Sequence, residues 1–173
     1  MGNELLSTQT LSDKEYHTIA SYIETNVGIK MPESKRVMIQ SRLIPRLRHL
    51  KFKTFKEYLD YVFSSRDGNQ ELIFMINALT TNKTDFFREA DHFTFLTSKV
   101  LHNLSSQGKK SIKLWSAGCS SGEEPYTIAI VLKEFIQKNP GVLTSFSIKG
   151  TDISTKVLDK AVNAVYEMAT VAN

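Results

Sequence analysis

Apolar residues recur at helical spacing through roughly the first 76 residues, and then short apolar runs alternate with helical ones. Ser12 and Glu15 have the spacing of a capping box, with Leu11 and Tyr16 placed as a hydrophobic staple. This predicts a helix from about 12 to 25, ended by Gly28. Pro32 opens the next periodic run, predicted as a helix from 33 to 50 with a kink at Pro45. At about 100° per residue, Ile39, Leu43, Ile44, Leu47 and Leu50 share one arc, while Lys35, Arg42, Arg46 and His49 form a basic outer stripe. Thr54 and Glu57 repeat the capping box before a helix from 55 to 64, and Asn69 is placed to cap another from Gln70 to Leu79. Residues 1–76 therefore read as a small all-helical domain.

From residue 77 the texture changes. The polar run from Thr80 to Asp85 precedes Phe86-Phe87-Arg88 and a predicted helix from 89 to 104, with Phe93, Leu96, Val100 and Leu104 inward. Ile112–Trp115 reads as a strand, Glu124–Gln137 as a helix, Phe146–Gly150 as a strand and Thr155–Tyr166 as a helix. Strands alternating with helices of this length imply α/β architecture with a parallel sheet. Each strand-helix unit takes about 30 residues, and a doubly wound sheet has about five strands or more. Residues 77–173 thus read as the first part of a larger sheet. Exposed strand edges in such a piece predict self-association or domain exchange.

Composition narrows the class. The 173 residues are 41% hydrophobic and 23% charged, which excludes disorder over the whole length. No run of about 18 uncharged apolar residues occurs, and MGNELLSTQT lacks a basic and an apolar region, so neither membrane insertion nor a secretory signal is expected. Leu6 stands where a myristoylation signal at Gly2 requires Ser or Thr. A single cysteine, Cys119, and histidines without ligand spacing predict no metal site and a reducing, cytoplasmic setting. Between Lys30 and Lys56, nine Lys and Arg residues face one acid, Glu33, so this segment carries +8 in a chain of net charge +4. Such a patch suits an acidic partner surface or is simply a solvated helix face. Nucleic acid fits poorly, because the basic helix from 33 to 50 has no interleaved aromatics and the net charge of the chain is small.

Three constellations carry chemistry. The first, Ser116 to Tyr126 (SAGCSSGEEPY), is a turn of small residues after a strand, where a ligand can approach the backbone. Glu123 and Glu124 there would repel a pyrophosphate and suit a cationic group; favouring the helix dipole accounts for them equally well. Cys119 in this turn reads as a small filler, without a basic neighbour to activate it. The second is Gly150-Thr151-Asp152-Ile153-Ser154, where Asp152 at a strand end can accept hydrogen bonds from both ribose hydroxyls or act as a turn residue. Glu123 and Asp152 together describe a site for a nucleoside that bears a cation and no phosphate, such as S-adenosylmethionine. The third, Leu79 to Glu89 (LTTNKTDFFRE), offers hydroxyls, an amide and an arginine beside two rings; a polar linker followed by core phenylalanines has the same pattern.

TTNKTDFFREADHF, LWSAGCSSGEEPYTIAI and GTDIS, in this order and spacing, resemble the chemotaxis-receptor protein-glutamate O-methyltransferases, and the likeness extends over nearly the whole chain. The resemblance implies a helical domain followed by a Rossmann-like methyltransferase domain, here truncated. It implies methyl transfer from S-adenosyl-L-methionine to glutamate side chains on cytoplasmic signalling helices of chemotaxis receptors, leaving S-adenosyl-L-homocysteine. Carried onto this sequence, it implies that Asn82, Thr84 and Arg88 meet the cofactor, that Glu123 contacts its amino acid moiety and that Asp152 holds its ribose. Arg88 is also the implied catalytic residue near the methyl or the incoming carboxylate, and the basic stripe of Lys35, Arg42 and Arg46 would face the receptor. A non-catalytic basic docking module with a vestigial or regulatory cofactor site is the alternative from a different class.

Overall fold

A computed structural model describes residues 10–64 and 68–171; the readings at Gly2, Leu6 and Asn173 lie outside the described residues. The chain divides into two compact units between Thr81 and Asn82. Among the described residues, no helix is long and apolar enough to cross a membrane.

In the first unit, α1 (Asp13–Val27) starts at the expected capping box. The Ser12 hydroxyl accepts from the Glu15 amide, the Glu15 carboxylate accepts from the Ser12 amide at 2.8 Å, and Gly28 ends the helix at φ +75°. A 3-10 turn, Glu33–Lys35, leads into α2 (Arg36–His49), which continues through Pro45 as one helix. Its Ile39, Leu43 and Leu47 are buried, with Ile44 and Leu50 packed beside them, as the periodicity predicts. The second capping box starts α3 (Phe55–Ser64), through Thr54 and Glu57.

Helix α4 (Gly68–Leu79) begins before Asn69, so the expected cap is instead a helical residue. The reason is packing against α3: a Cβ at Gly68 would stand 2.5 Å from the Tyr61 and Val62 carbonyl oxygens, so only glycine allows this approach. The approach also brings Glu71, only 4% exposed, onto Arg46 and Tyr58. Arg46 grips the carboxylate with Nε (2.9 Å) and Nη2, Tyr58 Oη donates to it at 3.0 Å, and the guanidinium lies over the Phe74 ring.

The outer basic stripe therefore needs correction. Arg46 is consumed by Glu71, and Arg42 donates through Nη1 to the carbonyls of Leu79 (3.2 Å) and Thr80 (2.9 Å), the open end of α4. Long side chains placed on an outer arc reach sideways to the neighbouring helix, where a buried acid and a negative helix terminus await them.

The second unit is built on β1 (Ser111–Ala117) and β2 (Ser145–Thr151), parallel and in register from Ser111 opposite Ser145 to Ala117 opposite Thr151. The strand-helix alternation is as predicted, with α7 (Glu123–Lys138) between the strands and α8 (Thr155–Asn163) after them. Leu101, Ile128, Leu132, Phe135 and Leu143 form the core, against which Leu114 and Ile148 of the strands pack. Lys113, Trp115 and Lys149 lie on the other, exposed face.

Two helices depart from expectation. The segment predicted as one helix from 89 is α5 (Ala90–Phe95), a π segment (Leu96–Leu101) and α6 (His102–Ser106). The wider π turn adds a residue to the repeat and so buries Leu101 in place of Val100. Helix α8 stops at Asn163 because Ala164 adopts φ +52°, and the short α9 (Met168–Val171) follows. Tyr166 is thereby freed from the helix it was expected to end.

Two outcomes test the Glu71 cluster. Glu71→Ala strands a guanidinium and a phenol and should cost roughly 3 kcal/mol in a urea unfolding curve. Burial, then the Glu71 charge, hold the Tyr58 phenol well above its ordinary range. The unfolded chain thus releases this proton near pH 10 while the folded chain retains it. Stability should be undiminished below pH 10 and fall as pH rises above it, with the slope reduced in Tyr58→Phe.

Candidate functional site

The turn between β1 and α7 folds over the end of β2. Gly118 and Cys119 donate backbone N–H to the Thr151 carbonyl at 2.7 and 2.9 Å. The turn then uses left-handed backbone at Gly118 (φ +82°), Ser120 (+49°) and Gly122 (+101°). A left-handed residue of this kind can turn a backbone amide toward an anion. Here the anion is internal: Asp152 accepts from the Ser120 amide through Oδ2 and from the Ser154 amide through Oδ1, both at 2.8 Å.

Ser120 also donates its hydroxyl to the Asn82 carbonyl at 2.8 Å, so one residue joins the loop, the turn and the end of β2. The loop is fixed again where the Phe87 amide donates to Thr127 Oγ1 at 3.2 Å, while that hydroxyl donates to the Glu123 carbonyl at 2.7 Å. Phe87 and Glu89 have left-handed backbone (φ +54° and +58°), and Phe86 is buried. The loop is thus a tethered wrap rather than a slack linker.

The two glutamates, indistinguishable by position, separate by contact. Glu124 accepts from the buried Ser116 hydroxyl at 2.7 Å and is tied back to the strand. Glu123 accepts from the Ser121 hydroxyl through both oxygens (3.0 and 2.8 Å) and lines an open groove of about 400 Å³ with Lys160 and Tyr166. A carboxylate oxygen has two lone-pair sites, so both Glu123 and Asp152 keep acceptor capacity beyond these bonds. A ligand ammonium at Glu123 and ribose hydroxyls at Asp152 fit this donor and acceptor set.

The structure therefore gathers Asn82, Asp152 and, through the turn, Glu123. Thr84 is half-buried further along the loop. Arg88 is exposed and donates to the Lys83 carbonyl at 2.9 Å, and it is absent from the ion pairs found among the described residues. Cys119 is buried, and burial followed by the Asp152 charge push its thiol upward, so it is a neutral filler against Gly150. Among the described residues, no group of three His, Cys, Asp or Glu is arranged for a metal ion.

Sequence reasoning passes over Ser120, Ser121 and Tyr166. The serines are hidden among small residues chosen for size, although a left-handed backbone at a non-glycine position often accompanies a function. Tyr166 is hidden by the helical periodicity that seemed to absorb it.

Residues 14–80 match the family model described as the all-alpha domain of CheR methyltransferase, and residues 82–173 match that of its SAM-binding domain. The chemotaxis protein methyltransferase of Borreliella burgdorferi is 41% identical over 162 residues, covering 90% of this chain and 56% of that protein. Chemotaxis protein methyltransferase 1 of Vibrio cholerae is 38% identical, covering 91% of this chain and 57% of its own length. The Escherichia coli protein of the same description is 38% identical, with shares of 90% and 51%. The chain spans about half the length of the curated relatives it matches.

Burial and neutrality of Cys119 predict that a maleimide reagent at pH 7 alkylates the native chain at least about 10-fold more slowly than the urea-unfolded chain. Equal rates in a mass-spectrometric time course would mean that the turn is open.

Proposed function

The chain belongs to the CheR methyltransferase family, and on that premise we propose that it acts in S-adenosylmethionine-dependent methylation of glutamate side chains on the cytoplasmic signalling helices of chemotaxis receptors, forming methyl esters in sensory adaptation. The observation that carries this reading is the placement of two carboxylates with spare acceptor capacity at adjacent strand ends, Glu123 after the turn that leaves β1 and Asp152 just after β2. Asp152 accepts from the ribose hydroxyls and Glu123 takes the ammonium of the amino acid moiety. Asn82 and Thr84 form the loop side of the pocket.

Bound S-adenosylmethionine supplies an electrophilic sulfonium methyl, and transfer leaves S-adenosylhomocysteine. The acceptor needs little chemical help from the chain. A glutamate side chain with pKa about 4.3 is ionised at neutral pH and attacks without a general base. Positioning dominates the rate, and Arg88, exposed on its tethered loop, orients the incoming carboxylate through its guanidinium fork.

With Arg42 and Arg46 turned onto α4, the docking charge is carried by Lys35 and by the exposed Arg48, Lys51 and Lys53. Arg42 and Arg46 contribute by fixing the α2 backbone that presents these cations to an acidic receptor helix.

Calorimetric titration of S-adenosylhomocysteine tests the cofactor reading: the chain should bind, and Asp152→Ala should abolish binding while a melting curve shows a folded protein. Absence of binding by the unsubstituted chain would move the reading to a basic docking module. Arg88→Ala should lower the initial rate of receptor methylation about 100-fold with little change in melting temperature. Loss of rate and fold in step would remove Arg88 from the chemistry.

A further inference from the structure

Tyr166 reaches the turn between β1 and α7 from beyond α8. The left-handed Ala164 reverses the chain, after which the Tyr166 hydroxyl donates to the Ser121 carbonyl at 2.7 Å. Its ring meets Phe86 of the loop edge-on at 5.0 Å between centroids and Tyr126 of α7 at 5.7 Å. Tyr126 in turn donates to the Ala161 carbonyl at 3.1 Å. One side chain thus touches the loop, the turn and α7.

We infer that Tyr166 is a positioning residue that sets Glu123 for the ammonium of the cofactor's amino acid moiety, acting through Ser121. The inference rests on the cofactor reading above. Ser121 is the link, because its carbonyl accepts from Tyr166 while its hydroxyl donates to both oxygens of Glu123. Rotation of that peptide would shift Gly122, the N-cap of α7, and so move Glu123 at the first helical position away from the Ser121 hydroxyl. The neighbouring glycine shows how closely the phenol is fitted. A Cβ at Gly122 would lie 2.5 Å from Tyr166 Oη, on a backbone already at φ +101°. The space that a side chain would occupy at 122 is therefore filled by the tyrosine hydroxyl.

The hydroxyl also remains a donor throughout the physiological range. Burial, followed by the nearby Glu123 charge, pushes the Tyr166 phenol up to about 12. A phenylalanine would keep both ring contacts and lose only the bond to Ser121, which makes it the informative substitution.

The test compares two probes on the full chain by calorimetry: S-adenosylhomocysteine, which carries the amino acid moiety, and 5′-methylthioadenosine, which lacks its charges. Tyr166→Phe should weaken S-adenosylhomocysteine roughly 5- to 10-fold, the scale of one hydrogen bond, and leave methylthioadenosine within about 2-fold. Ser121→Ala, which keeps the carbonyl bond but removes the link to Glu123, should give the same selective loss, and the double substitution should be no worse than either single one. Should Tyr166→Phe fail to fold, the Ser121→Ala comparison decides alone. Equal weakening of both probes would reduce Tyr166 to a packing residue and overturn the inference. Unchanged preference for S-adenosylhomocysteine in both variants overturns it as well, with the cofactor reading intact. Failure of the unsubstituted chain to bind either probe removes the cofactor reading and the inference with it.

Discussion

A turn with three left-handed residues in five positions cannot hold its shape by local preference. Ser120 at φ +49° opposes the ordinary bias of an L-residue, and its amide points into a cleft that needs an acceptor. Asp152 supplies it. Because β1 and β2 are parallel and in register up to Ala117 and Thr151, the chain leaving β2 arrives directly beneath the turn leaving β1. The carboxylate then takes one amide from each side, Ser120 and Ser154, at 2.8 Å. Everything else in the site follows from this tie. It fixes the Ser120 hydroxyl toward Asn82 and the start of α7 with Glu123 at its first position.

The same economy of charge governs the helical unit. An acid placed between helices is costly unless every oxygen is satisfied, and Glu71 meets that condition through Arg46 and Tyr58. Arg42 closes the carbonyl end of α4 in a similar way. Two of the cations that make this segment so basic in sequence are therefore structural. Arg48, Lys51 and Lys53, at the end of α2 and just after it, are exposed, while Lys35 is half-buried in the turn before α2. A patch can thus be strongly basic in composition and yet offer a smaller, more ordered set of charges to a partner.

These contrasts explain what the sequence makes legible. The capping boxes at Ser12 and Thr54 are local: the groups that satisfy each other lie three residues apart, so spacing alone identifies them. The parallel strands are legible because their apolar alternation and the intervening helix length leave one topology open. The π segment, the early start of α4 and the end of α8 are not local events. Each depends on a neighbour across space: the core position of Leu101, the Tyr61 and Val62 carbonyls against Gly68, and the contacts of Tyr166 with Ser121 and Phe86. Asn82, Glu123 and Asp152 are singled out by motif, but the serines hydrogen-bonded to them are not, since a hydroxyl in a small-residue turn carries no distinctive spacing.

The two glutamates at the start of α7 differ in their ties, Glu124 to Ser116 and Glu123 to Ser121, and the proposed cofactor reading rests on that difference. A helix N-terminus attracts anions, and a turn of glycines and serines with free amides would ordinarily be suited to phosphate. Here the amide of Ser120 is already given to Asp152, and the first helical turn carries two carboxylates. Glu124 is neutralised only in its hydrogen bonding, through Ser116, and its charge stays at the helix end. The two carboxylates therefore oppose a phosphate at the helix end, while Glu123 offers an acceptor to an ammonium in a groove that Lys160 also lines. A nucleoside with an ammonium and a sulfonium suits that arrangement, whereas a dinucleotide with its pyrophosphate does not. In the proposed reading the preference arises from which amides are used internally, a property of the fold rather than of the motif.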